Sequence, residues 1–317
     1  MTASKPSGKV LLAVTGFSPH QWMELLSTRR HVVLEPAAPD DPAIEYAVVW
    51  KQRPRILEKL PNLKAIFSVG AGVDHLFTDP GLPQVPIVRV VADNLTQYMT
   101  EYVAWRVLDH HRQGRLYRTQ QAKMVWHEPF QPPANEVCVG IMGLGNLGRA
   151  SAKALLSLGF AVNGWSRKPQ QMDGVRCFDG EAGLTPFLNA TDILVVLLPY
   201  TPATHGIVDY SVLRRLRRDN GLGGAFLINA GRGKLQKEAD ILRALEDGTL
   251  KEASLDVFEQ EPLPMASPLW EHPRVFVTPH AAATSDPAHL AGPMLDQMDG
   301  CDRGEPLRNL VDRDAGY

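Results

Sequence analysis

The chain has 317 residues, 44% of them hydrophobic and 21% charged, which is the composition of an ordinary globular protein long enough for two domains. Its net charge of −2 argues against a nucleic-acid surface or an anionic membrane as the main partner. The longest apolar runs, such as Ile193 to Leu198, are far too short to span a bilayer, so no membrane partner is expected. Cys138, Cys177 and Cys301 lie far apart without CxxC spacing, which suggests neither a disulfide framework nor a zinc site. The N-terminal MTASKPSGKV lacks the apolar run of a signal peptide, and a cytoplasmic location is expected.

Strands are expected at Val10 to Val14, His31 to Leu34, Ala47 to Trp50, Ala65 to Ser68 and Val85 to Val88, with helices at His20 to Leu26 and Arg55 to Leu60. Alternation of this kind is the rhythm of a parallel α/β sheet. A proline-free stretch from Leu95 to Val125 carries Met99, Val103, Val107 and Leu108 at helical spacing and predicts one long helix with a weak point at Gly114. Glu128 to Pro133 reads as a linker or exposed loop. A second α/β series follows, with strands at Val137 to Met142, Ala161 to Trp165, Ile193 to Leu198, Ala225 to Asn229, Ala253 to Val257 and Val275 to Thr278. Arg214, Arg215, Arg217 and Arg218 read as a solvated helix face. Beyond Thr284 the chain is polar, with little strand signal.

The first chemical motif opens the second series. The apolar run Val137 to Met142 leads directly into Gly143-Leu144-Gly145-Asn146-Leu147-Gly148, and a helical segment, Arg149 to Leu158, follows. This is GxGxxG in its strand–turn–helix setting. The first glycine allows the turn, the second lets the backbone approach a pyrophosphate, and the third lets helix and strand pack closely. A helix N-terminus then offers its N–H groups to the phosphates. The next strand should end in the residue that reads the adenosine ribose, about 20 positions after the motif. NAD-preferring proteins place a carboxylate there, whereas this strand ends in Ser166-Arg167-Lys168 and no carboxylate follows until Asp173. A hydroxyl and two cations suit a 2′-phosphate, so NADP(H) is expected to be preferred over NAD(H).

Reducing a keto group at such a cofactor needs a proton donor, a partner that orients it, and a cation for the substrate. Histidine serves as donor near neutral pH, a carboxylate on its other nitrogen fixes the ring, and arginine grips a carboxylate in bidentate fashion. Arg232, Glu261 and His280 each follow an apolar run, where strand C-terminal ends should lie and where open α/β sheets bind ligands. Taken singly, they read equally well as a turn charge, a surface acid before a proline and a loop histidine. Their spacing alone does not bring them together. His110 and His111 are adjacent, point about 100° apart on a helix, and are expected at the surface. His75 and His127 read as packing or loop residues, and no metal is called for.

From Phe67 to Pro287, and weakly beyond, the sequence resembles the D-2-hydroxyacid dehydrogenase family, and most closely its glyoxylate/hydroxypyruvate reductase branch. The matching stretches are Ser68 to His75, Gly143 to Gly148, Leu197-Leu198-Pro199 with Thr204, Asn229 to Gly233, Leu255 to Phe258 with Glu261 to Pro264, and Thr278 to Ala282. The C-terminal Gly304 to Leu307, Val311-Asp312 and Gly316-Tyr317 fit the same branch. The resemblance implies two Rossmann-like, doubly wound parallel-sheet domains with an active-site cleft between them. The substrate domain would be discontinuous and flavodoxin-like, residues 1–98 plus 285–317, and the dinucleotide-binding Rossmann domain would be residues 99–284. Arg232 would bind the substrate carboxylate and keto oxygen, and His280, paired with Glu261, would be the acid/base. Backbone N–H groups around Gly70, Ala71 and Gly72 would hold the carboxylate from the other domain. Asp256 and the Ala230 carbonyl would hold the nicotinamide carboxamide, with Ala282, Arg232 and His280 beside the cofactor. Leu198, Pro199 and Thr204 would line its adenosine and phosphate side. Trp50 resembles a tryptophan facing the substrate in bacterial glyoxylate reductases, and reads equally well as a core or interface aromatic.

The implied reaction is the NADPH-dependent reduction of a small 2-keto acid, glyoxylate or hydroxypyruvate, to the D-2-hydroxy acid. The missing acidic residue at Ser166 to Lys168 argues against the NAD-linked members, and no room is left for a regulatory domain. Two alternatives stay open: a dehydrogenase for a bulkier, phenylpyruvate-like keto acid, and a non-catalytic NADP(H)-sensing protein similar to the family's corepressors. The resemblance also implies a homodimer, with the helix after Leu95 and the loop Trp126 to Pro133 as interface elements.

Overall fold

The computed structural model describes residues 8–16, 18–35 and 40–317. The first seven residues, on which the absence of an apolar leader was read, lie outside them. The chain forms two compact units, one made of residues up to Leu95 together with Ser285–Tyr317, the other of Thr96–Thr284.

In the first unit, β1 (Lys9–Val14), β2 (His31–Leu34), β3 (Ile44–Trp50), β4 (Ala65–Ser68) and β5 (Ile87–Val88) form an all-parallel sheet in the order β2-β1-β3-β4-β5. This is the flavodoxin-like order. Leu11, Val49 and Ile66 are fully buried, as parallel strands covered on both faces require. Helix α1 (His20–Ser27) turns Trp22 and Leu26 inward, and a short α2 (Asp74–Phe77) follows β4. No α-helix forms at Arg55 to Leu60. Arg55 sits at φ 63, its N–H donates to Asp79 Oδ1, and one 3-10 turn, Leu57–Lys59, remains. The carboxylate at Asp79 therefore holds a turn where the apolar spacing suggests a helix.

The predicted helix over Leu95 to Val125 is two helices. The first, α3, spans Asp93–His111, and α4 spans Gly114–Ala122. The break is at Gln113, which takes left-handed φ 54 and ψ 38, a conformation that ends a helix. The second unit's strands are β6 (Cys138–Met142), β7 (Ala161–Ser166), β8 (Val175–Asp179), β9 (Ile193–Val196), β10 (Phe226–Asn229), β11 (Glu252–Leu255) and β12 (Val275–Val277). They form one parallel sheet in the order β12-β11-β10-β9-β6-β7-β8, with α5 (Asn146–Ser157), α6 (Gly180–Asn189), α7 (Tyr210–Leu213) and α8 (Glu238–Glu246) between strands. The order reverses between β6 and β9, which is the switch point where a doubly wound sheet receives its ligand. Strand β8 has no counterpart in the sequence reading. It is an edge strand with no fully buried residue, so it lacks the apolar run that marks the others.

Two polar groups are placed differently from expectation. His110 and His111 are buried in α3, with 1% and 6% of their surface exposed. The arginine cluster is not a helix face, because α7 ends at Leu213 and Arg217 pairs with the fully buried Asp192, which also takes the N–H of Cys138 and the amide of Asn220. Burial likewise pushes the Cys138 thiol up to about 12, leaving it inert as a nucleophile.

The chain returns to the first unit as α9 (Pro287–Asp302), a helix absent from the sequence reading because Pro293, Gly292 and Gly300 weaken its pattern. Tertiary contacts supply what propensity lacks. Arg30, fully buried, pairs with Asp299 and Asp302, and Tyr46 donates to Asp302 at 2.7 Å. Among the described residues no helix is long and apolar enough to cross a membrane, and no group of three or more His, Cys, Asp or Glu could hold a metal ion.

Candidate active site

The glycine turn follows β6, beside the switch point. Gly143 has φ +108, and a Cβ there would lie 2.8 Å from the Leu197 carbonyl oxygen. A Cβ on Gly148 would come within 1.9 Å of the Gly143 carbonyl oxygen. Gly145 differs, because nothing lies within 4 Å of the position its Cβ would take. Two glycines are thus required by the protein's own packing, while the third leaves open space on an exposed turn. Gly145 also caps α5, and no side chain occupies that cap. Uncapped first-turn N–H groups beside an open, glycine-lined surface fit the pyrophosphate of a dinucleotide. Leu144 is buried against Gly164 and anchors the turn, and Asn146 is exposed.

Strand β7 delivers Ser166, and Arg167 and Lys168 follow it at the surface. The Ser166 hydroxyl donates to the Lys168 carbonyl at 2.7 Å and shapes this turn. Arg149 ties the turn to the glycine loop, donating to the carbonyls of Leu144 and Gln171 and to the Gln170 side chain. The unpredicted β8 adds one carboxylate: Asp179 pairs in register with Ser166. On the other side of β6, Leu198 is buried past the end of β9, and Thr204 closes a capping box with Thr201. The Thr204 oxygen takes the Thr201 N–H at 2.8 Å and stands 2.9 Å from the Pro199 carbonyl.

The adjacent strands β10, β11 and β12 bring the distant candidates to neighbouring ends of one sheet edge, in register Asn229↔Leu255 and Leu255↔Val277. Parallel strands lie about 4.8 Å apart, so the ends of β10 and β12 are separated by roughly 10 Å, room for a small ligand. Arg232 stands after β10, half-buried, with Nη1 donating to the Gly231 carbonyl at 2.9 Å. Its turn is fixed by groups to which the sequence reading gave no role. Asn229, fully buried, takes the Gly231 N–H and donates to the Arg232 carbonyl and to Gln236, which in turn reaches the Val257 carbonyl. The signal for this clamp was a polar Asn at the end of an apolar strand. Ala230 is buried beside it.

His280 and Glu261 meet: Nδ1 lies 2.9 Å from Oε2, with side-chain exposures of 33% and 23%. Glu261 Oε1 takes the Phe258 N–H at 3.2 Å, which orients the carboxylate. An ionised carboxylate only accepts, so His280 carries its hydrogen on Nδ1 and leaves Nε2 as the working nitrogen. The His280 backbone is left-handed at φ 53, an arrangement that costs about 1–3 kcal/mol and needs support. Asp256, 1% exposed, supplies it. Its carbonyl takes the His280 N–H at 2.7 Å, and its carboxylate takes the Ala281 and Ala282 N–H groups and the Thr278 hydroxyl.

Trp50, Gly70, Ala71 and Gly72 belong to the first unit. A Cβ on Gly70 would lie 2.1 Å from the Trp50 ring, so that ring packs directly on the glycine loop, and it also meets the His75 ring in a tilted contact at 4.7 Å. The Gly70 N–H donates to Ser68 Oγ at 3.3 Å, so one of the three N–H groups has a partner inside its own loop.

The fold and the glycine turn define a dinucleotide-binding α/β protein of the doubly wound class. The sequence profile of the D-isomer specific 2-hydroxyacid dehydrogenase family, NAD binding domain, matches residues 104–282. The glyoxylate/hydroxypyruvate reductase A of Yersinia enterocolitica is 36% identical over 310 residues, covering 95% of this chain and 97% of that protein. An NADPH-dependent glyoxylate/hydroxypyruvate reductase from Sinorhizobium meliloti, solved with NADP and sulfate, is 44% identical and superposes with a TM-score of 0.92 over 98% of this chain and 100% of its own. A protein from Rhizobium etli described as a probable 2-hydroxyacid dehydrogenase, solved with NADP, HEPES and L(+)-tartaric acid, gives the same identity, score and coverage. The chain therefore belongs to the D-isomer specific 2-hydroxyacid dehydrogenase family, and residues 104–282 carry its NAD(P)-binding domain.

Proposed function

We propose that this chain is an NADP-dependent glyoxylate/hydroxypyruvate reductase, converting a small 2-keto acid to the D-2-hydroxy acid. The observation that carries the reading is the 2.9 Å His280–Glu261 pair, with Glu261 following the strand next to that of Arg232 and His280 the strand beyond it. The cofactor would lie with its pyrophosphate on the turn Gly143, Leu144, Gly145, Asn146, Leu147 and Gly148. Its adenosine end would meet Ser166, Arg167 and Lys168 on one side and Leu198, Pro199 and Thr204 on the other. Its carboxamide would lie by Ala230, Asp256 and Ala282. When bound, the reduced nicotinamide supplies a hydride to the keto carbon.

The chain's own groups do the rest. The Arg232 guanidinium holds the substrate carboxylate and polarises the keto oxygen. Protonated His280 gives the Nε2 proton to that oxygen as it becomes a hydroxyl. Glu261 accepts the hydrogen bond from Nδ1–H, which keeps that hydrogen on the ring, and stabilises the imidazolium beforehand. The ring is one-third exposed, so solvent can restore the proton.

Preference for NADPH over NADH rests on Arg167 and Lys168, with Asp179 as the one opposing charge in register. Self-association as a homodimer is supported by the exposed Met124, Trp126 and Phe130 after α4 and by the half-exposed Trp105 on α3. Such a run of large apolar side chains is costly to leave in water.

Purified protein given NADPH or NADH and a panel of 2-keto acids tests the reading. Turnover with NADPH is expected on glyoxylate and hydroxypyruvate. Faster turnover on phenylpyruvate would move the substrate assignment, and tight cofactor binding without turnover on any keto acid would overturn it. Sedimentation equilibrium reads the oligomer, with a mass of twice 35.0 kDa expected.

A further inference from the structure

Helix α3 faces β11 through a row of polar side chains that the proposed reaction does not use. Tyr102, Arg106 and His110 are spaced four apart and form one stripe of the helix, rising about 6 Å per step. Glu252, Ser254 and Asp256 are spaced two apart on one face of the strand and its extension, rising about 6.6 Å per step. The two repeats nearly match, so Arg106 and His110 reach Ser254 and Glu252 directly, while Tyr102 reaches Asp256 through Thr278. All six are buried, none more than 6% exposed.

The donors and acceptors can be assigned along the row. Arg106 Nε donates to Ser254 Oγ at 3.0 Å. His110 Nδ1 faces the Glu252 carboxylate at 3.2 Å and so carries the hydrogen, which leaves Nε2 to accept from Ser254 at 2.8 Å. At the other end the Thr278 hydroxyl donates to Asp256 Oδ1 at 2.6 Å. Its one hydrogen is then used, so Tyr102, 2.8 Å away, must be the donor to Thr278. Burial pushes the Tyr102 phenol up to about 12, which keeps that donor in place throughout the neutral range.

We infer that Tyr102 is a positioning residue for the reduction: through Thr278 it holds the Asp256 carboxylate against the Ala281 and Ala282 N–H groups and so fixes the backbone on which His280 stands. The inference rests on the role proposed for His280. The left-handed His280 backbone makes it consequential, because such a conformation persists only where surrounding contacts enforce it. The opposite end of the row, Arg106, Ser254 and His110, has no contact with Asp256 among its hydrogen bonds and gives an internal control.

The test compares Tyr102→Phe, which removes one hydroxyl, with Ser254→Ala, which breaks the row at the far end. Hydrogen exchange of the segment 279–283 is read in both, independently of activity, together with kcat, KM and NADPH affinity. Tyr102→Phe is expected to speed exchange there about tenfold and to lower kcat about tenfold, with KM and cofactor affinity within about twofold, the loss of one buried hydrogen bond. Ser254→Ala should lower the melting temperature yet leave exchange of 279–283 and kcat near those of the unaltered protein. Unchanged exchange in Tyr102→Phe, or equal effects in both variants, would overturn the inference. Faster exchange with kcat unaltered would also overturn it. If the unaltered protein turns over no keto acid, the functional reading fails by itself, and the exchange comparison still decides whether Tyr102 fixes this backbone.

Discussion

The two sides of the candidate site in the second unit are built by different means. On the cofactor side, the turn at Gly143–Gly148 is made of backbone, and its shape follows from where side chains are absent. On the reaction side, Arg232, Glu261 and His280 come from three strand ends separated by long stretches of chain. Their arrangement depends on side-chain hydrogen bonds to Asn229, Phe258 N–H and Asp256. A local backbone device can be read from a short motif. A convergent one needs the sheet order before its members can be joined.

The comparison predicts that damage on the two sides will show in different quantities. The largest effects belong to the reaction side. His280→Ala should lower kcat by roughly 10²–10⁴ while leaving NADPH affinity within about threefold, since it removes the proton donor and not the cofactor's turn. Arg232→Ala should lower kcat/KM by roughly 10²–10⁴, the value of two charge-assisted contacts. Steady-state kinetics with a separate cofactor titration would separate these. A His280→Ala variant that retains activity would remove the histidine from the mechanism.

The cofactor side should respond through affinity. Gly145→Ala adds a methyl where the protein leaves open space and φ is ordinary, so the fold should keep its melting temperature while NADPH affinity falls tenfold or more, on the order of the lost close approach. Gly148→Ala should instead lower the melting temperature, because its methyl would meet the Gly143 carbonyl. Equal effects of the two substitutions on stability would erase the distinction between a packing glycine and a ligand glycine. Replacing Arg167 and Lys168 together by Ala should lower the NADPH/NADH preference by roughly 10–100-fold. An unchanged ratio would leave the 2′-phosphate without a binding site at this turn.

Legibility in the sequence followed the same division. The strands of the second series and the glycine turn, with its two packing glycines, were visible because each needs only its own neighbours. Strand β8 was not, since an edge strand half in water carries no apolar run, and it hid the one carboxylate, Asp179, in register with Ser166. Helix α9 was hidden by its proline and glycines and is held by the Arg30 ion pairs. His110 read as a surface histidine because, beside His111 on a helix, it has no metal partner within its own stretch of chain. Its burial comes from Glu252 and Ser254, which lie far along the chain. The Asn229–Gln236 clamp was missed although its partners are close in sequence, as nothing in an Asn marks which group it will reach.

The smallest effect concerns that buried histidine. Burial lowers the His110 pKa below its ordinary value, so the folded state holds the neutral ring between Glu252 and Ser254, with Arg106 and Asp109 also near. A depressed histidine favours folding above its unfolded pKa, and that contribution is lost as pH falls through and below about 6.5. The melting temperature should therefore drop by a few degrees more in the unaltered protein than in His110→Gln between about pH 7 and 5. Parallel curves for the two proteins would show that the ring carries no such linkage.

The central claim is that Arg232 and His280 converge on one keto oxygen beside a bound dinucleotide. A crystal structure with NADP and oxalate, a non-reducible stand-in for a 2-keto acid, measures that directly. It should place one oxalate oxygen within about 3.2 Å of both the Arg232 guanidinium and His280 Nε2, with the pyrophosphate on the Gly143–Gly148 turn. Oxalate bound away from both side chains, or NADP bound elsewhere than the glycine turn, would contradict the account.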